Sequence, residues 1–214
     1  MAFVGKKFPN LSVDAMNEMG DTFKVNVLEE AVNNKKKVVL FWYPKDFTFV
    51  CPTELHAFQA AVAEFEKRNT IVIGASCDTP EVHFAWLSTA KDNGGIEGVT
   101  YSLLADSNRN LASTLGILDI TNETYNEETG AVLVEGDNVT YRATYIIDEE
   151  GIVQHESINN MPLGRNVQEY LRLVDALTHV QEKGEVCPAN WEEGKEAMGA
   201  NAKATAEYLA AHVN

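Results

Sequence analysis

The run Val38-Val39-Leu40-Phe41-Trp42-Tyr43 is continuously apolar and rich in β-branched and aromatic side chains. A strand with one wet face alternates apolar with polar, so this run reads as a strand buried on both faces. Pro44-Lys45-Asp46-Phe47-Thr48-Phe49-Val50-Cys51-Pro52 follows directly. Beyond it, Leu55, Phe58, Val62 and Phe65 recur at helical spacing, and proline is tolerated in a first helical turn, so a helix begins near Cys51. A thiol at that position meets free N–H groups and the positive end of the helix dipole, which favour a thiolate over a thiol. The competing reading is a small buried hydrophobe, the commonest fate of a free cysteine. Thr48 can donate and accept through its hydroxyl or cap the helix, and Pro44 can hold the entering loop away from the thiol.

The rest of the chain supplies layers for that strand. Thr70 to Ala75 reads as a second buried strand, followed by a helix from about Pro80 to Asp92 and a short strand at Tyr101 to Leu104. A helix near Leu111, a strand from Arg142 to Ile147, a Glu149-Glu150-Gly151 turn into Ile152-Val153 and a helix from about Val167 to Val180 complete the pattern. Alternating strands and helices predict a layered α/β sheet. From Lys183 the character changes to an alanine-rich arm with Cys187-Pro188 near its start, so the expected division is residues 1–182 and 183–214. Between these landmarks, Val132 to Val134 and Val139 to Tyr141 flank Glu135-Gly136-Asp137-Asn138, whose turn chemistry predicts a hairpin.

Charge and cysteine usage narrow the function. The 214 residues carry 32 acidic against 17 basic side chains, a formal net charge of −15, which opposes binding to nucleic acid or anionic lipid. No stretch approaches the roughly 18 apolar residues of a membrane span, and the first residues lack the apolar core of a secretion signal, so a cytoplasmic protein is expected. Cys51, Cys77 and Cys187 are widely separated and lack the close Cys/His pairs of a structural zinc site, so no metal is expected. Disulfides in the cytosol are usually transient and catalytic. Cys77 closes a buried strand, where apolar surroundings raise a thiol pKa, and is expected to be inert. His56, His83, His155, His179 and His212 share no metal or triad spacing and read as structural or surface residues. Glu54 stands where a Cys-x-x-Cys dithiol would carry its second cysteine, and no dinucleotide fingerprint is present, so electrons must come from outside the chain.

The segment from Phe41 to Glu54, with Thr48-Phe49-Val50-Cys51-Pro52-Thr53-Glu54 at its centre, resembles the peroxidatic signature of the typical two-cysteine peroxiredoxins. Gly184-Glu185-Val186-Cys187-Pro188-Ala189-Asn190-Trp191 is similar to their resolving-cysteine motif, in the subfamily that includes the peroxidase component of alkyl hydroperoxide reductase. Arg142-Ala143-Thr144-Tyr145-Ile146-Ile147-Asp148 and Met161-Pro162-Leu163-Gly164-Arg165 extend the likeness over nearly the whole chain. The long stretch between Leu118 and Tyr141 departs from the pattern.

The resemblance implies a thioredoxin-like fold with an N-terminal hairpin and a C-terminal extension. It implies a thiol peroxidase acting on hydrogen peroxide and small organic hydroperoxides, with Cys51 peroxidatic and Cys187 resolving across a subunit boundary. Arg142 then stabilises the thiolate and polarises the peroxide, Thr48 orients it, Pro44 shields the sulfenic acid, and Glu54 with Arg165 fixes the arginine. No cofactor is implied, and the reductant is thioredoxin or the flavoprotein component of alkyl hydroperoxide reductase. Head-to-tail dimers assembling into a decamer are expected. Gly94-Gly95-Ile96-Glu97-Gly98 and Tyr208-Leu209 resemble, imperfectly, the segments of peroxiredoxins that overoxidise easily. The alternative function is an oligomeric holdase chaperone or redox-signalling scaffold, motivated by the acidic, oligomer-prone character of the family.

Overall fold

A computed structural model describes residues 2–212 and divides into two compact units, 1–165 and 166–214. The division falls well before the change of sequence character at Lys183, so the helix that precedes the arm groups with it. The first unit is built on a seven-stranded mixed sheet. Its strands are β1 (Ser12–Met16), β2 (Thr22–Asn26), β3 (Lys37–Trp42), β4 (Thr70–Ser76), β5 (Leu103–Ala105), β8 (Arg142–Ile147) and β9 (Val153–Asn159), in the order β2-β1-β5-β4-β3-β8-β9. The helices of this unit are α1 (Val27–Asn34), α2 (Cys51–Lys67), α3 (Pro80–Leu87) and α4 (Asn110–Leu115). This is the thioredoxin-like architecture, with β1 and β2 as the expected N-terminal hairpin.

The apolar run becomes β3, parallel to β4 on one side and antiparallel to β8 on the other, and buried along its length. Its alternate residues serve two cores. Val38, Leu40 and Trp42 join a cluster with Val27 and Ala31 of α1 and Leu111 and Leu115 of α4. On the other face Phe41 stacks on Phe58 of α2, with ring centroids 3.9 Å apart and planes within 10°. That second contact seats the helix beginning at Cys51 against the central strand. The hydroxyl of Tyr101 donates to the Leu55 carbonyl at 2.8 Å, and His56 Nε2 stands 3.1 Å from the Gly95 carbonyl oxygen, so the Gly94–Gly98 segment also restrains α2.

The hairpin expected from Val132–Val134 and Val139–Tyr141 does not form. Instead β6 (Asn122–Tyr125) pairs antiparallel with β7 (Val132–Glu135) as a separate two-stranded sheet. The side-chain oxygen of Asn126 accepts from the amides of Glu128 and Thr129, and Gly130 supplies φ +69°, so the turn lies there. Gly136 is not a hairpin turn residue but a crossing point. Its φ is +108°, and a Cβ on it would lie 2.5 Å from the carbonyl oxygen of Asp119. Val139 accepts a backbone hydrogen bond from Asp119 at 2.8 Å, closing the base of the insertion just before β8.

The second unit contains α5 (Val167–Lys183) and α6 (Ala202–His212). Asn166 caps α5 by accepting from the Gln168 amide, and Gly184 ends it with φ +67°. Between the helices, Val186 and Met198 exchange backbone hydrogen bonds of 2.8 and 3.2 Å. Arg172 Nη1 donates to the Trp191 carbonyl at 2.9 Å, and the Trp191 ring lies 4.9 Å from that of His179. No helix among the described residues is long and apolar enough to cross a membrane.

Candidate active site

Cys51 is the first residue of α2 and fully buried. The antiparallel pairing of β8 with β3 runs to Thr144 opposite Phe41, so Arg142, two residues earlier on β8, lies beside the exit of β3 towards the cysteine loop. Its Nη1 is 3.4 Å from Cys51 Sγ and 2.6 Å from Glu54 Oε2. Its Nε donates to the carbonyl oxygen of Met161, a restraint that the sequence motif around Met161 contained but did not declare.

Glu54 sits one helical turn after Cys51 and gathers both arginines. Arg165 donates to Oε1 from its backbone N and Nε, each at 2.9 Å, and to Oε2 from Nη2 at 2.8 Å. Arg165 is itself fixed by the Ala143 carbonyl at 3.0 Å and by the Phe41 ring, 5.2 Å from its guanidinium carbon. Burial pushes the Glu54 carboxyl up, but the Arg165 hydrogen bonds and the charges of Arg165 and Arg142 outweigh it and hold the group below its ordinary value. Two guanidiniums against one carboxylate leave one positive charge beside the Cys51 sulfur.

Pro44 is buried in the loop ahead of Cys51. Thr48 does not cap α2, whose N-cap is Val50 with no side-chain cap bond. Its hydroxyl donates to the Lys45 carbonyl at 2.8 Å, which leaves its oxygen lone pairs to accept from another O–H. Cys187 lies in the second unit, partly buried, with Sγ 3.7 Å from the carbonyl oxygen of Ala176. Burial pushes its thiol up, with Arg172 pulling down and Glu185 pushing up. Burial raises the Cys77 thiol to about 12, reinforced by Asp106. All three cysteines are free thiols. Among the described residues no cluster of three or more His, Cys, Asp or Glu side chains could hold a metal ion.

Sequence reasoning missed one connection. His83, read as structural or surface, is fully buried and paired with Asp46 in the cysteine loop, its Nδ1 2.7 Å from Asp46 Oδ2. The partners are far apart in sequence, and no motif spacing relates them.

Residues 4–156 match the AhpC/TSA family model, and residues 176–211 match the C-terminal domain of 1-Cys peroxiredoxin. The chain belongs to the AhpC/TSA family. It is 38% identical over 211 residues to the chloroplastic 2-Cys peroxiredoxin BAS1 of Hordeum vulgare, covering 99% of this chain and 92% of the relative. It is 42% identical over 175 residues to alkyl hydroperoxide reductase C of Helicobacter pylori, covering 82% and 80%. The crystal structure of reduced Plasmodium vivax 2-Cys peroxiredoxin superposes with a TM-score of 0.87 at 36% identity, covering 98% of this chain and all of the other. The protein is thus a peroxiredoxin, a thiol-dependent peroxidase.

Proposed function

We propose that Cys51 is the peroxidatic nucleophile, that Cys187 resolves its oxidised form, and that hydrogen peroxide and small organic hydroperoxides are the substrates. The observation that carries this reading is the Arg142 guanidinium 3.4 Å from the buried Cys51 sulfur, locked there by Glu54. The thiolate sulfur attacks one peroxide oxygen. An S–O bond forms as the O–O bond breaks, and the leaving hydroxide or alkoxide takes up a proton to depart as water or alcohol. Charge grows on the leaving oxygen, and Arg142 is the donor positioned to meet it. Thr48 accepts the peroxide O–H, and Pro44 limits water around the sulfenic acid. The sulfur of Cys187 then attacks Cys51, forming the disulfide and releasing water.

A disulfide needs Cα atoms within about 7 Å, so Cys51, buried in a helical turn, must be released by local unwinding before it pairs. An external dithiol, on thioredoxin or on the flavoprotein component of alkyl hydroperoxide reductase, restores both thiols with two electrons. The working assembly is a dimer pairing Cys51 of one chain with Cys187 of the next, built further into a decamer in a reducing, cytoplasmic compartment. The arm from residue 183 is the segment that delivers Cys187. The test is oxidation with one equivalent of peroxide, followed by non-reducing electrophoresis and mapping of the linked peptides. A species of doubled mass joining Cys51 to Cys187 supports the scheme, and oxidised protein running only as monomer rejects the intersubunit step.

A further inference from the structure

The loop between β3 and α2 carries Pro44 and Thr48 and ends at Cys51, and it is anchored by a buried pair that the chemistry above does not use. Asp46 and His83 are both buried, with side chains 1% and 0% exposed. His83 Nδ1 is 2.7 Å from Asp46 Oδ2, and Nε2 is 3.1 Å from the Leu104 carbonyl oxygen on β5. An imidazole with acceptors at both nitrogens satisfies them only when both carry protons, as the cation. Tyr43 at the end of β3 brings its hydroxyl to 3.4 Å from Nδ1. Asp78, after β4, accepts from the Asp46 backbone amide at 2.9 Å and from the Ser76 hydroxyl at 2.8 Å. The charged or titratable groups facing His83 are therefore Asp46, Asp78 and Tyr43. The other Asp46 oxygen is buried without a hydrogen-bond partner, and the carboxyl is stabilised chiefly by His83, with a smaller contribution from the Tyr43 hydroxyl.

The next residue shows what the anchor restrains. Phe47 has φ +55°, a left-handed conformation that strains a residue with a Cβ and persists only where the surroundings impose it. Its ring lies 5.8 Å from Trp86, on the same helix as His83. Asp46 and Phe47 thus both dock on α3, and the strained turn between them sets the path towards Thr48 and Cys51.

We propose that protonated His83 is a positioning residue for the peroxidatic loop, acting through Asp46 to hold the loop folded and, on losing its proton, releasing it towards the open form that disulfide formation needs. The inference rests on Cys51 being peroxidatic. The direction of the pH effect follows from the pair. Burial pushes His83 down, but the hydrogen bond and charge of Asp46 outweigh it and raise the group above its ordinary value. A raised histidine stabilises the fold below its unfolded pKa and loses that contribution as pH rises through the folded value. Burial raises Asp46 against the opposing pull of His83, so protonation of Asp46 at acid pH does not oppose the folded state, and the loss of loop protection belongs to the alkaline side, where His83 gives up its proton.

Amide hydrogen exchange of the full chain, corrected for intrinsic rates, tests this from about pH 6 to about pH 10. In the unsubstituted protein, protection across residues 45–50 falls as pH rises while β3 and β4 stay protected. His83→Gln lowers loop protection at least about tenfold near neutral pH and abolishes its pH dependence. Asp46→Asn does the same, and both variants convert less Cys51 to sulfinic acid under excess peroxide. A pH profile in His83→Gln equal to that of the unsubstituted protein overturns the proposal. Should both substitutions unfold the sheet, seen as lost β3 protection, the unsubstituted profile decides, and a loop flat across the range overturns it. Exchange does not depend on the chemistry of Cys51, so failure of the clamp and failure of the peroxidatic assignment are distinguishable.

Discussion

Replacing Glu54 with glutamine keeps the shape of the side chain and removes its charge. The Arg142 and Arg165 side chains are 4% and 1% exposed and Glu54 is 3% exposed, so the rule for surface ion pairs does not apply. Removing one partner of a buried pair costs about 3–5 kcal/mol, because the remaining charge stays desolvated and unpaired. For a chain of this size that corresponds to a fall in Tm of roughly 6–20 °C. The amide of glutamine also donates from one side, so a hydrogen-bonding site that receives a guanidinium N–H is lost. Arg142 is then no longer held at the sulfur, and the rate with peroxide falls on the order of a hundredfold. The acid limb supplies a second check. The Glu54 carboxyl lies below its ordinary value in the folded state, so its contribution is present above the unfolded pKa and is lost as pH falls through the folded one. Urea unfolding at neutral pH shows the full difference between the two proteins, and the difference shrinks with acidification. A Glu54→Gln protein within about 1 kcal/mol of the original at neutral pH, reacting at the original rate, refutes the reasoning.

Thr48→Val removes the hydroxyl and lowers the second-order rate with hydrogen peroxide about 10–100-fold, whereas Thr48→Ser stays within a few-fold, as stopped-flow fluorescence would measure. Cys77, with its thiol raised to about 12, alkylates far more slowly than Cys51 at neutral pH, and Cys77→Ala leaves peroxide consumption unchanged; mass spectrometry of the labelled peptides and a turnover assay check both. Truncation after about Ala200 speeds disulfide formation and lowers the sulfinic fraction at Cys51 under rising peroxide, and equal fractions in full-length and truncated chains would show that α6 does not restrain the active site.

The central strand and the cysteine helix were legible because their signals are local. Val38 to Tyr43 is a β-rich apolar run, and Leu55, Phe58 and Phe65 mark one helical face that the fold buries. Cys51 follows from its place at a helix start just past the buried strand, Arg142 and the Glu54–Arg165 pair follow from motif likeness, and the first unit brings all four side chains together. The insertion was misread because two turn candidates compete there. Gly136-Asp137-Asn138 has turn chemistry, but Asn126 with Gly130 completes a side-chain-bonded turn that pairs β6 with β7, while Gly136 is taken up by a close approach to Asp119. The Asp46–His83 pair was illegible for a different reason. Asp46 lies in a motif without an assigned role, His83 lies in a helix with other apolar residues, and only packing brings them together.

Peroxide consumption by Cys51→Ser, measured with saturating reductant and compared with the unsubstituted chain, tests the account most directly. Cys77 has its thiol raised by burial, and Cys187 stands 3.7 Å from a backbone carbonyl with its thiol likewise raised, so neither shares the Arg142–Glu54 setting of Cys51. The account predicts consumption at the level of the uncatalysed background, with the fold intact by circular dichroism. Substantial consumption by Cys51→Ser would contradict it and place the chemistry on another group.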